Sequence, residues 1–128
     1  MSSPDVTTFS DTEQTFNENR ELSKRLKSKY PNRIPVLVKS QNETITLKKH
    51  KFFPTKDSTF ANFLYFLRQY VDLNSKQSIV AFANNTLIPV SSTMGDLYKI
   101  HTDDDGFLYI HITKENTFGY SNVSKFYD

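Results

Sequence analysis

Three histidines, one acidic run and one basic aromatic stretch are the groups in this 128-residue chain best equipped to do chemistry. His50, His101 and His111 do not have metal-ligand spacing with one another, and a zinc site without cysteine would need carboxylates that the pattern does not place. They read as surface histidines. Asp103 to Gly106, the sequence DDDG, lacks the alternating acids and distal glutamate of a calcium loop and reads as a turn. No glycine-rich phosphate loop and no activated serine or cysteine arrangement is present, so neither catalysis, cofactor nor metal is expected. Binding is what remains. In KKHKFFP, Lys48, Lys49, His50 and Lys51 stand next to Phe52 and Phe53, whose side chains fall on opposite sides of a strand. As an edge strand, this stretch would offer unpaired backbone groups to an incoming extended peptide. The same lysines, with those at 24 to 29 and the ring of Tyr30, could instead form a basic aromatic platform for RNA or anionic lipid.

The bounds narrow the class. The length suits one domain with a real core. With 37% apolar residues, eleven Phe and seven Tyr, that core should be rich in aromatics. Zero Cys removes disulfides and thiolate chemistry and is compatible with a reducing compartment. No 18-residue apolar run and no signal-like start is seen. A net charge of +2 is too small to argue nucleic-acid binding by itself.

The elements that must position these residues follow from periodicity. Residues 1–15 are rich in Ser, Thr and acids and read as a mobile arm. Leu22, Leu26 and Tyr30 recur every four residues within Phe16 to Tyr30, an amphipathic helix that Pro31 ends. RIPVLVK, Arg33 to Lys39, is a strand with both faces apolar, so it needs cover on both sides. The preceding helix is the obvious cover for the second face, which predicts a sheet sandwiched between helices. A second strand is expected over 44–53, stopped by Pro54. STFANFLYFLRQYV should be the main helix, capped by Ser58 or Thr59. SIVAFANNTLIP reads as a strand, an Asn84-Asn85 turn and a short extended piece. A brief helix capped by Ser92 or Thr93 runs to about His101, and FLYIHIT is the last strand. Gly119, one of three glycines, follows a few residues later between Phe118 and Tyr120. On spacing alone it could simply end the strand.

This order is that of an α+β ubiquitin-like β-grasp with a four-stranded mixed sheet, to which the resemblance below adds N-terminal helices packed on its second face. YPNRIPVLV, FLRQYV, FANNTLIPVSSTMGDLY, DDDGFLYI and ENTFG together make residues 16–119 resemble the autophagy ubiquitin-like modifiers, the family of the GABA-receptor-associated protein and the microtubule-associated light-chain-three modifiers. The resemblance implies an arm at 1–15, a ubiquitin-like domain with helical extension at 16–119 and a propeptide tail at 120–128. A cysteine protease would cut after Gly119, with Phe118 as the adjoining anchor and Tyr120 the first residue released. Activating-like and conjugating-like enzymes would then join the glycine carboxylate to phosphatidylethanolamine. Glycine suits such channels because no Cβ obstructs an extended backbone. A cytoplasmic precursor would pass to autophagosomal or vacuole-related membranes.

The resemblance also implies capture of cargo receptors and adaptors through acidic-flanked aromatic-x-x-aliphatic peptides. Leu26, Pro35, Leu37, Phe52 and Phe107 would line the aromatic pocket, with His50 at its mouth. Phe53, Pro54, Phe63 and Phe66 would line the aliphatic one. Arg33, Lys48, Lys49 and Lys51 would attract the acidic flank. This sequence departs from the family pattern at His50 and Lys51, where relatives carry lysine and tyrosine, and at Tyr70, which replaces a basic residue. One residue is also added between Pro54 and Phe63. Nucleic acid is not an expected partner. A relative conjugated to protein lysine is a rival reading, but such modifiers typically end at their glycine, and this chain has residues beyond Gly119.

Overall fold

A computed structural model describes residues 6–8, 15–41, 45–72 and 77–115. Among the described residues three α-helices and six strands follow in the order β1 (Val6–Thr8), α1 (Phe16–Lys29), β2 (Val36–Ser40), β3 (Lys51–Pro54), α2 (Phe60–Leu67, continued by a 3-10 turn over Arg68–Tyr70), β4 (Ser78–Ala83), β5 (Thr86–Leu87), α3 (Met94–His101) and β6 (Leu108–Glu115). The strands form one sheet in the order β1-β3-β2-β6-β4-β5. Among the described residues only the β2–β6 pairing is parallel. The four expected strands occupy the middle, and a short strand is added at each edge. The α+β ubiquitin-like β-grasp is therefore present, with six strands where four were expected. Among the described residues one helix, not two, precedes β2.

Local chemistry explains the boundaries. Thr15 accepts from the Glu18 backbone N–H while the Glu18 carboxylate accepts from the Thr15 N–H, a capping box that starts α1. Thr59 and Thr93 cap α2 and α3 by accepting from Asn62 and Asp96. Asn84 and Asn85 take φ of 53° and 61°, the left-handed pair that closes the two-residue β4–β5 turn. Pro54 is the last residue of β3, where the stop was expected, and its carbonyl still accepts from the Ile34 N–H at 2.9 Å. The strand expected over 44–53 begins only at Lys51. Before it, Leu47 bridges Val71, and Lys48 donates to the Tyr70 carbonyl, which draws this stretch toward the end of the main helix.

Alternation assigns the two faces. Val36, Val38, Leu108, Ile110, Ile112 and Ala81 are buried with Phe60, Phe63 and Leu67 of α2. The opposite face carries Leu37, Tyr109 and His111, and α1 reaches it through polar contacts. Ser23 Oγ donates to the Asp105 carbonyl at 2.8 Å, and Asn19 Nδ2 donates to the Asp105 carboxylate at 3.4 Å. Tyr109 donates its hydroxyl to the same carboxylate, which also accepts from the Phe107 N–H at 2.9 Å. The sandwich is as expected, but the residues of α1 that bury are Asn19 and Ser23, while Leu22 and Leu26 stay half-buried.

Candidate peptide-docking edge

Strand β3 lies next to β2 with Val36 opposite Phe52 and Leu37 opposite Lys51. That register decides the side on which each aromatic falls. Phe52 shares the face of Val36 and packs edge-on against Phe63 (5.6 Å), Phe66 (6.2 Å) and Tyr70 (5.6 Å). Phe53 shares the face of Leu37 and meets Tyr30, at the end of α1, at 5.7 Å. The structure thus exchanges the two phenylalanines between the sets expected from sequence: Phe52 joins Phe63 and Phe66, and Phe53 joins the α1 side. The register is what decides this, since a one-residue slip turns every side chain to the other face.

Two apolar clusters result, one on each side of the same strand. On the α1 side Leu26 and Leu37 are half-buried, and Phe53, Pro35 and Phe107 are buried. On the α2 side Phe66 and Tyr70 are half-buried above fully buried Phe52 and Phe63, and Pro54 is buried on the same strand. Successive residues of an extended peptide along β3 would point to opposite sides, the arrangement that reads two alternating anchors. Tyr70, noted only as a departure from the family pattern, is part of the second cluster, its ring tilted 49° to that of Phe66 at 5.4 Å. Its signal was available: it lies seven residues beyond Phe63 and so on the same helical face.

The charges differ from expectation. Lys51 is 3% exposed, so it is not a free surface cation, and it stands opposite Leu37 where His50 was expected. His50 and Lys48 are exposed and Lys49 is half-buried. Arg33 donates from Nη1 to the Phe53 carbonyl at 2.9 Å, which binds its guanidinium to the docking strand itself. The basic aromatic platform is partly consumed internally: Lys27 Nζ lies 4.7 Å over Tyr98 and Lys29 Nζ 5.6 Å over Tyr30.

Of the histidines, His50 is exposed, His101 contacts Asn84 Nδ2 through Nδ1 at 3.2 Å, and His111 is half-buried opposite Lys39. Burial, then the Lys39 charge, lowers the His111 pKa below the ordinary value, which favours a neutral ring. Among the described residues no group of His, Asp and Glu could hold a metal, and no helix is long and apolar enough to cross a membrane. Phe118, Gly119 and Tyr120 lie outside the described residues.

Comparison with known proteins bears on this site. The family described as "Autophagy protein Atg8 ubiquitin like" matches residues 18–119. Autophagy-related protein 8a of Arabidopsis thaliana is 38% identical over 104 residues, covering 80% of this chain and 85% of that protein. Autophagy-related protein 8 of Coccidioides immitis is 35% identical over 109 residues, covering 84% and 93%. Among solved structures, Trypanosoma brucei ATG8 superposes with a TM-score of 0.73 at 28% identity, over 83% of this chain and 93% of that one. Plasmodium falciparum Atg8, solved in complex with a Plasmodium falciparum Atg3 peptide, gives 0.68 at 27% identity, over 80% and 94%.

Proposed function

The chain belongs to the Atg8 family of autophagy ubiquitin-like modifiers, and from that premise we propose that it is cleaved after Gly119, joined to phosphatidylethanolamine, and used there as a docking platform for short peptides. The observation that carries the reading is that the family match closes on Gly119, four positions beyond Glu115, where β6 ends. Hydrolysis of the Gly119–Tyr120 peptide bond adds water across it, leaving a carboxylate on Gly119 and an amine on Tyr120. The released tail is Tyr120 to Asp128. ATP-dependent enzymes would convert the carboxylate to an acyl adenylate with release of pyrophosphate, an enzyme thiol would displace AMP to give a thioester, and the lipid amine would attack that acyl group, releasing the thiol and forming an amide. No group of this chain performs these steps; the protein is their substrate.

The partners that fit are a processing cysteine protease, activating-like and conjugating-like enzymes, and cargo receptors or adaptors carrying acidic-flanked aromatic-x-x-aliphatic peptides. The Plasmodium complex with an Atg3 peptide supports the conjugating-enzyme partner. The two clusters astride β3 support the peptide mode, with the aromatic anchor over Leu26, Leu37 and Phe53 and the aliphatic one over Phe66 and Tyr70. Cytoplasmic before processing, the protein would act on autophagosomal or vacuole-related membranes after it.

Intact-mass spectrometry of the full chain incubated with cell extract tests the covalent half of this reading. A single loss corresponding to residues 120–128 is expected, and Gly119→Ala should abolish both that loss and all lipid attachment. Cleavage elsewhere would overturn it.

A further inference from the structure

Residues expected to belong to a mobile arm are paired with the docking strand. β1 runs antiparallel to β3, with Val6 opposite Pro54, Thr7 opposite Phe53 and Thr8 opposite Phe52. The hydrogen bonds on the far side of β3 show which backbone groups this pairing engages. Ile34 donates to the Pro54 carbonyl at 2.9 Å and Val38 to the His50 carbonyl at 2.7 Å, so the even-numbered residues of this stretch face β2. The N–H and C=O groups of Lys51 and Phe53 therefore face the other edge. Thr7, directly opposite Phe53, is the β1 residue whose own backbone groups face β3. These are the groups an incoming extended peptide would need.

Two further observations agree. All four residues of β3 are buried, Lys51 at 3% and Phe53 at 2% exposure, although β3 would be the edge strand without β1. The sequence of the segment, Asp5-Val6-Thr7-Thr8-Phe9 followed by Asp11 and Glu13, is β-prone and flanked by acids, and it sets an aliphatic and an aromatic residue three positions apart. That is the composition read for partner peptides, with the anchors in reverse order along a strand.

We propose that residues 6–8 are an intramolecular ligand for the β3 edge, so that partner peptides bind only after the N-terminal segment is displaced. The inference rests on the peptide-docking reading above. Thr8 is separated from Thr15, the α1 cap, by residues 9–14, a short tether that gives the segment a high effective concentration at the edge. A three-residue strand is nevertheless among the weakest elements a sheet can hold, so it opens at low cost. Apparent peptide affinity is the intrinsic affinity scaled by the fraction of molecules with the edge open.

The test uses the full chain and a synthetic peptide with acidic residues before a Trp-x-x-Leu core, titrated by calorimetry, with amide exchange of Phe53 read in parallel. Thr7→Pro removes the N–H that faces β3. Thr8→Pro removes one that faces away and serves as the control. Thr7→Pro is expected to bind about five- to tenfold more tightly than the unmodified chain and to lose protection at Phe53, with Thr8→Pro close to unmodified. Equal affinities for the unmodified chain and Thr7→Pro, with binding present in both, would overturn this inference and leave the docking reading standing. Absence of binding to every version would overturn both.

Discussion

The two faces of the sheet are held by different physics. On the α2 face Phe52, Phe60, Phe63, Leu67, Leu108 and Ile110 are buried together, and the adhesion is non-directional burial of apolar area. On the α1 face the buried contacts of the helix are polar, Asn19 and Ser23 converging on the carboxylate and carbonyl of Asp105. The first tolerates small shifts; the second depends on geometry, because hydrogen bonds weaken steeply with distance and angle. The docking strand lies between them, one phenylalanine committed to each side. A peptide bound there would touch both kinds of surface.

The largest effect should come from the apolar side. Phe52→Ala empties a site that is 0% exposed and touched by three rings, and should cost about 3–5 kcal/mol in denaturant unfolding. Leu37→Ala, half-buried on the other face, should leave the fold intact and weaken peptide binding by about 1–2 kcal/mol. If the two variants lose stability equally, the contrast between the faces is wrong.

Next comes the polar side. Gly106 has φ of 87°, and a Cβ there would lie 2.8 Å from Ser23 Cβ and closer still to Ser23 Oγ. Gly106→Ala therefore meets both backbone strain and the helix it must hold, and should cost about 2 kcal/mol while loosening α1. Exchange of α1 amides should quicken while β6 amides stay protected. Uniform loss across the molecule would show that α1 and the sheet are not separable.

The smallest effect is on pH dependence. Burial, followed by the hydrogen bond and charge of Asp105, raises the Tyr109 pKa well above its ordinary value near 10. The folded state holds that proton more tightly than the unfolded one, so the contribution is fully present below pH 10 and is lost as pH rises through the folded value. Tyr109→Phe should remove this part of the alkaline fall in stability. An unchanged alkaline limb would mean that the Tyr109–Asp105 contact carries none of it.

This contrast also explains what could be read from sequence. The α2 face was legible because its residues repeat: Phe60, Phe63, Leu64 and Leu67 announce a helix, and Ile34, Val36 and Val38 a strand. The polar contacts of α1 with Asp105 were not, because periodicity counts apolar residues and passes over Asn19 and Ser23, one helical turn apart. The acidic turn was recognised as a turn, but nothing in DDDG distinguishes Asp105, buried at 2%, from its exposed neighbours. The Thr15-x-x-Glu18 box was a local signal that could have been used. Within the candidate site, the residue set was largely legible and the sides were not. The faces taken by Phe52 and Phe53 depend on strand register, which only the pairing of Val36 with Phe52 fixes. β1 was missed because three residues are too few to show an alternating pattern.

A nuclear magnetic resonance titration of the full chain with an acidic-flanked Trp-x-x-Leu peptide tests most directly whether β3 is the docking strand between two surfaces. The account predicts that the largest changes fall on the Lys51 and Phe53 amides, accompanied by Leu37 on one face and Phe66 on the other. Changes confined to the lysines of α1, with Lys51 and Phe53 unmoved, would contradict it.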